Sequence, residues 1–434
     1  MCETSAEAPQ GWTAKALADV ANQITSGGTP TSGSPRYYVR NGGLPYAKTE
    51  DLTRAPSKYI SHCELAISDA ALKETAAKRY PTGTVLVSMY GTIGLTKVTA
   101  CEMAANQALC ALLPPFACDA GYLYHHLNHV RDDWQKFSGQ TTQANINGAI
   151  VRTHRLPLPP KPEQTRIARV LDTLDTTIRQ TEAIIAKLKQ VKQGLLHDLL
   201  TRGIDANGEL RPPHSEAPHL YKPSPLGWIP KAWDVDLLDS VAIRGSGHTP
   251  SKSVRSYWDG GVKWVSLADS HRLDQIYIDE TDKQISDLGV ANSSAVKHPA
   301  GTVILSRDAG IGKSAVLASE MAVSQHFMAW RCGERLNNLF LYFSLQRLKP
   351  QFEAIAIGST IKTIGLPFFK RFEIALPPRA EQDRAVEVLM VVEQSLAREE
   401  RYLAKLGEQK SGLMDDLLTG RVRVTPLLEA VTTP

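Results

Sequence analysis

Three stretches of the chain hold side chains whose types and spacing could do chemistry. Leu113-Pro114-Pro115-Phe116 is the nearest match to the loop with which an amino-methyltransferase accepts hydrogen bonds from its target amine, but leucine stands where the polar acceptor is needed. Gly312-Lys313-Ser314 ends like a phosphate-binding loop; the position for its leading glycine is Arg307, and the matching stretch earlier in the chain reads Gly94-Leu95-Thr96. His125 and His129, four apart beside His126, could face a metal, yet no carboxylate or cysteine is spaced nearby to join them, so they read as an aromatic-rich helix surface. With these set aside, the chain reads as one without a catalytic centre, a resident metal or a cofactor of its own.

The elements that would position any binding residues are two copies of one long helix. Glu163 to Thr201 and Glu381 to Thr419 align without a gap at an offset of 218 residues, with 16 of 39 positions identical, where unrelated segments would share about two or three. Pro159-Pro160 and Pro377-Pro378 block helix on the N-terminal side and leave Glu163 and Glu381 in the first turn, where a carboxylate suits the helix dipole. Ile167, Leu171, Leu174, Ile178, Ile185, Leu188, Leu195 and Leu199 fall on spacings of three and four, interrupted at Thr181 and Lys192. Leu389, Val392, Leu396, Leu403, Leu406, Leu413 and Leu417 repeat that register. A narrow apolar seam with charged flanks predicts a coiled coil, each rod about 58 Å long. Gly194 and Gly412, at the same place in each rod, suggest a close backbone approach where the rods meet or where a partner docks.

The duplication extends to the segments before the rods. Gly11-Trp12 aligns with Gly227-Trp228, and Gly27-Gly28-Thr29-Pro30 with Gly247-His248-Thr249-Pro250. Aromatic pairs follow (Tyr37-Tyr38 and Tyr257-Trp258), then PTGTVLVS ending at Ser88 and PAGTVILS ending at Ser306, each a buried strand by its β-branched run. The order predicted is 1–160 globular, 161–203 rod, 204–378 globular, 379–421 rod and 422–434 tail, with 203–225 a solvated polar connector. At 434 residues, 42% hydrophobic and 22% charged, the chain suffices for two or more cores. A net charge of +4 neither demands nor excludes nucleic acid. Six irregularly spaced cysteines without a Cys-x-x-Cys, and no apolar run of spanning length, predict a reduced, cytoplasmic, non-membrane protein.

The doubled set of motifs carries a family resemblance. The Gly-Trp opening, the Gly-Gly-Thr-Pro turn, the Pro-x-Gly-Thr strand, Ser324-Gln325-His326-Phe327, and Leu-Pro-Pro-x-x-Glu-Gln-x-Arg heading a helix that ends Leu417-Leu418-Thr419-Gly420 resemble the specificity subunit of a type I restriction-modification system. The departures are Arg202 in place of glycine after the first Leu-Leu-Thr, and His248 in place of Gly28.

The resemblance implies an α/β (α+β) multidomain fold: two globular target-recognition domains separated by two long antiparallel coiled-coil helices, with an internal pseudo-two-fold repeat. It implies a non-catalytic chain that reads a bipartite, asymmetric target in double-stranded DNA, the rods acting as a ruler for the spacer. Two methyltransferase subunits, using S-adenosylmethionine on a flipped adenine, are its partners, with restriction-translocase subunits joining them. Candidate DNA contacts are the polar loops at matched positions: Lys48, Ser88, Tyr90, Thr92, Gln107, Thr141, Thr142 and Gln143, then Ser266, Ser306, Arg307, Lys313, Gln325, His326, Thr360 and Lys362. Arg307 and Gln325 suit bidentate contacts to guanine and adenine, while the matched pairs Ser88/Ser306 and Gln107/Gln325, recurring in two readers of different sequences, favour a role within the fold. The alternative from another class is a coiled-coil scaffold whose domains bind protein ligands without reading DNA.

Overall fold

The computed structural model describes residues 9–40, 42–136, 145–358 and 362–426. The chain forms two compact units, Met1–Glu182 with Arg401–Pro434, and Ala183–Glu400. Both are built on one plan.

In the first unit a five-stranded sheet runs in the order Ala21–Ser26, Leu109–Phe116, Val85–Ser88, Thr96–Thr99, Tyr59–Ile60, and a four-stranded sheet in the order Tyr38–Val39, Leu65–Ile67, Leu44–Ala47, Ala104–Ala105. The second unit repeats the five-stranded order with Ala242–Ser246, Phe327–Cys332, Val303–Ser306, Ser314–Leu317 and Tyr277–Ile278. Register repeats as well: Val85 opposes Val98 and Leu109 opposes Ser88, while Val303 opposes Val316 and Phe327 opposes Ser306. The Pro-x-Gly-Thr turn explains why each central strand starts where it does. Gly83 and Gly301 both hold φ +83, and the threonine hydroxyls of Thr84 and Thr302 donate back to Pro81 and Pro299 carbonyls at 2.7 Å.

Each unit's chain entry is a two-stranded ribbon. Thr13–Ala16 pairs with Arg155–Leu158, and Asp234–Leu237 pairs with Glu373–Leu376. The tryptophan immediately before each ribbon is Trp12 in one unit and Trp233 in the other, both buried. Trp233, not Trp228, is therefore the counterpart of Trp12. Trp228 is 53% exposed in a hairpin of Tyr221–Ser224 with Gly227–Pro230, stacked on His214 at 4.1 Å. The 203–225 connector also departs from expectation. Ile204, Ala217 and Tyr221 are buried, and Tyr221 donates to the Pro212 carbonyl at 2.6 Å, because enough apolar side chains sit among the prolines to pin it down.

The rods are helices Lys161–Leu199 and Arg379–Leu418. Within the first unit the two run antiparallel: Asp175 pairs with Lys410 at 2.5 Å, and Glu163 pairs with Arg423. The second unit repeats this, with Lys192 against Glu393 and Lys189 against Glu400 at 3.0 Å. Shifting the Asp175–Lys410 pair by the repeat offset of 218 lands on Glu393 and Lys192, so one register serves both units. The interruptions in the apolar seam are part of it. Thr181 is 3% exposed with its hydroxyl on the Thr177 carbonyl, and Lys192 is one of the register-setting ions. Leu171, Ile185, Leu389, Leu396 and Leu406 are buried, while Leu174, Ile178, Leu188, Leu195, Val392, Leu403 and Leu413 are half-buried.

Gly194 and Gly412 do not mark a close approach between rods, since a Cβ built on either would meet nothing within 4 Å. Gly194→Ala and Gly412→Ala should each stabilise the chain by about 1 kcal/mol, read as a rise in the urea midpoint at unchanged m; a fall would show that the bare backbone is needed.

Candidate nucleic-acid interface

In each unit the turn after the first long strand, the aromatic pair and the Asn/Ser-Gln step meet in one cleft. The first cleft, about 1120 Å³, is lined by Thr29, Tyr38, Arg40, Tyr46, Lys48, Glu64 and Gln107 among others. The second, about 390 Å³, is lined by Thr249, Lys252, Trp258, Trp264, Ser266, Lys283, Gln325 and His326 among others. Gly27 and Gly247 make the turn possible: a Cβ there would lie 1.7 and 1.6 Å from the Ala105 and Val323 carbonyl oxygens. Gly28 is crowded too, since a Cβ there would lie 2.6 Å from Ala76 Cβ, so His248 at the matching place marks a local difference between the two turns.

The frame of each cleft is shared between the units. Thr29 donates to Gln107 Oε1 and Thr249 to Gln325 Oε1, the latter at 2.6 Å, which fixes each glutamine, and the Gln325 amide nitrogen lies 3.4 Å from His326 Nε2. Tyr38 and Tyr46 meet edge to face at 6.0 Å, Trp258 and Trp264 at 5.3 Å. Their polar ends are held on backbone carbonyls, Tyr46 on Gly28 at 3.1 Å and Trp264 on His248 at 3.0 Å, which makes them platform walls. Lys48 and Ser266 occupy one position, each followed three residues on by an aspartate that caps it: Asp51 accepts from Lys48 N and Asp269 from Ser266 N, both at 2.8 Å. The charged lining differs. Arg40, Lys48 and Glu64 face one cleft, Lys252, Lys283 and His326 the other, and none of those four Arg and Lys side chains has an ion-pair partner among the described residues.

Of the residues expected from sequence, Lys48, Gln107, Ser266, Gln325 and His326 are brought into these clefts. Ser88 and Ser306 are fully buried, their hydroxyls donating to the Tyr90 and Asp308 carbonyls at 2.8 Å. Arg307 is held by backbone, its Nε 3.3 Å from the Gln325 carbonyl, and Lys313 donates to the Ser270 carbonyl at 2.8 Å. Tyr90 is 43% exposed, Thr92 has a buried hydroxyl without a partner among the described residues, and Lys362 is exposed. Thr141, Thr142, Gln143 and Thr360 lie outside the described residues. Sequence reasoning passed over Thr29, Thr249, Arg40, Lys252 and Lys283, although the repeated Thr-Pro turn was visible. Removing both Lys252 and Lys283 to alanine should weaken DNA binding by the assembled complex about 10-fold or more and flatten its salt dependence by roughly one unit per lysine in log–log slope; salt titrations with an unchanged slope would exclude phosphate contacts.

The stretches weighed for chemistry are also placed. Ser314, after Gly312-Lys313, opens a buried strand and accepts from Gln346, so no helix receives a phosphate there. His125 does have carboxylate neighbours, Asp172 and Asp175, which distance along the chain concealed. Lys58 lies 2.6 Å from Asp172 and Lys410 2.5 Å from Asp175, so protein cations already face both. Burial opposes ionisation of Asp172, but hydrogen bonds from His125 and Lys58 outweigh it and hold its pKa low. Burial pushes the thiols of Cys63, Cys110, Cys118 and Cys332 up to about 12, leaving them protonated. No helix among the described residues is long and apolar enough to cross a membrane.

The type I restriction modification DNA specificity domain family matches residues 9–190 and again 230–407. The chain is 20% identical to the type I restriction enzyme MjaIX specificity subunit of Methanocaldococcus jannaschii, over 96% of this chain and 95% of that one. It is 23% identical, over the same shares, to the putative MjaX specificity subunit of that organism. Among solved structures, the S subunit of a type I restriction-modification system from M. genitalium superposes with a TM-score of 0.57 at 14% identity, over 94% of this chain and 96% of that chain. A chain from a structure of type I restriction-modification complex assembly gives 0.57 at 18% identity, over 96% and 100%.

Proposed function

Because the chain belongs to the type I restriction-modification DNA specificity family, we propose that its two clefts each read one of two unlike half-sites of a duplex target. The chain is the non-catalytic, DNA-recognising subunit of such a complex and recruits the methyltransferase and nuclease subunits; S-adenosylmethionine is the cofactor of the methyltransferase partner. The observation that carries the two-cleft reading is a shared frame with unlike lining. Thr29–Gln107 and Thr249–Gln325 are the same device in both units, so they suit a feature common to both half-sites, the sugar-phosphate backbone. Arg40, Lys48 and Glu64 against Lys252, Lys283 and His326 are what differ, and only differing side chains can select differing bases. The segments 1–160 and 204–378 then act as readers, with the rods setting the unread spacer.

The test is a map of methylated adenines in cells carrying the intact chain, no chain, or the chain with Lys252, Lys283 and His326 replaced by alanine. The expected result is a bipartite motif that vanishes without the chain and loses stringency in one half only with the triple variant. Relaxation of both halves together, or methylation without sequence preference, would favour the protein-binding scaffold instead.

A further inference from the structure

The Glu-Gln-x-Arg motif heading each rod is accounted for inside its unit at every position but the last. Glu163 and Glu381 are buried and take bidentate hydrogen bonds from Arg423 and Arg211. Gln164 accepts from Asp119 N at 2.7 Å and donates to the Pro159 carbonyl at 2.8 Å; Gln382 accepts from Asn337 N at 2.9 Å and donates to the Pro377 carbonyl at 2.8 Å. At the variable position the donor and acceptor are exchanged: Thr165 donates to Asp119 at 2.9 Å, whereas Asp383 accepts from Asn337 at 2.7 Å. That leaves Arg166 and Arg384. Neither has a hydrogen bond or ion pair among the described residues, and in both the Nε is buried without a partner.

A guanidinium desolvated at Nε and unpaired is costly unless something pairs with it, and here the cost recurs at the same position of both copies. We propose that Arg166 and Arg384 are equivalent docking points for a carboxylate on the methyltransferase subunit, one copy of that partner to each arginine. Identity between the units is the argument for one repeated partner, just as divergence of the clefts is the argument for two half-sites. Position argues for a protein carboxylate over a DNA phosphate. The strand Leu109–Phe116 leads from Gln107 in the first cleft toward Asp119, which holds the rod head, and Phe327–Cys332 leads likewise from Gln325 toward Asn337. At about 3.3 Å per residue the rod heads stand roughly 20 Å or more from the clefts, at the other end of each sheet. The fork of arginine suits a carboxylate held in two hydrogen bonds.

This rests on the specificity-subunit reading, and the experiment separates the two. The intact chain, Arg166→Glu, Arg384→Glu and the double variant are titrated with the cognate methyltransferase subunit, and stoichiometry and affinity are read by analytical ultracentrifugation. Arg→Gln variants, with helical circular dichroism as the folding check, guard against misfolding by charge reversal. The intact chain should take up two copies, each single variant should keep one and bind the second at least tenfold more weakly, and the double variant should lose both. Variants that titrate like the intact chain would overturn the proposal and leave the family role standing. Variants that keep both partners but lose DNA affinity would overturn it in favour of phosphate contacts. An intact chain that binds no methyltransferase would overturn the broader reading with it.

Discussion

Glu381→Ala should destabilise the second unit by about 3–5 kcal/mol, the range for removing one partner of a buried, hydrogen-bonded ion pair. The Glu381 side chain is 5% exposed and accepts from four donors: Ile204 N at 2.9 Å, Trp233 Nε1 at 3.0 Å, and the two ends of Arg211, one of them at 3.0 Å. Arg211 is itself 13% exposed. Alanine therefore strands a guanidinium, a backbone N–H and an indole N–H out of water at once. The equivalent Glu163 makes a useful comparison. It accepts from both ends of Arg423 and from Thr425, but Arg423 is 34% exposed and Trp12 Nε1 is not one of its donors. Water can solvate Arg423 once the carboxylate is gone, so Glu163→Ala should cost less, about 1–3 kcal/mol. Urea denaturation followed by tryptophan fluorescence measures both, since Trp12 and Trp233 sit at the two sites. Equal losses, or a Glu381→Ala loss under about 1 kcal/mol, would mean that the buried carboxylate is not what holds the end of the rod.

Much of this frame could be read from the sequence because repetition turns weak local signals into strong ones. A Pro-Pro before a carboxylate, or a Pro-x-Gly-Thr before a β-branched run, is an ordinary signal once; at a fixed offset of 218 residues it defines an element. The polar breaks in the rod seam were visible as interruptions, and pairing turned them into the register: Lys192 needs Glu393, a residue more than 200 positions away, before its place makes sense. The mismatch of Trp12 with Trp228 has a similar origin. The chain offers Trp228 and Trp233 five residues apart, and only the strand pairing of Asp234–Leu237 with Glu373–Leu376 decides which precedes the ribbon. The clefts were half legible. Gln107 and Gln325 lie in a repeated step and stood out, whereas Arg40, Lys252 and Lys283 come from separate strands and turns in non-repeating surroundings, so nothing local marked them as neighbours.

Lowering the pH from 7 toward 4 should destabilise the first unit through a pair of buried histidines, by about 3 kcal/mol from His154 alone, with His126 adding to it. Trp134 Nε1 donates to His154 Nδ1 at 3.3 Å, so the single proton of neutral His154 is on Nε2. That proton is donated to His126 Nε2 at 3.1 Å, which leaves the His126 proton on Nδ1, a buried atom without a partner among the described residues. Neither ring can take a second proton without putting a charge in the core. Burial accordingly pushes His154 down to about 4, and burial, then His154, then His129, push His126 well below the usual histidine range. Both folded values lie below the unfolded value near 6.5. At pH 7 and above both states are neutral and the pair is without effect. As pH falls through about 6.5, the unfolded chain binds protons that the folded chain refuses, and stability drops by up to about 1.4 kcal/mol per pH unit for each histidine until the folded ring titrates. The second unit supplies the control. At the offset of 218, His126 corresponds to Ser344 and His154 to Phe372, so the double variant His126→Ser/His154→Phe installs residues that this scaffold already accommodates. The variant should lose roughly 1 kcal/mol at pH 7 from the orphaned Trp134 N–H, yet fall less steeply than the parent between about pH 6.5 and 4.5. Carboxylates titrating in that window are common to both proteins and cancel in the comparison. Parallel stability curves across it would show that the histidine pair is already charged in the folded unit, with Trp134 and His126 no longer facing neutral rings.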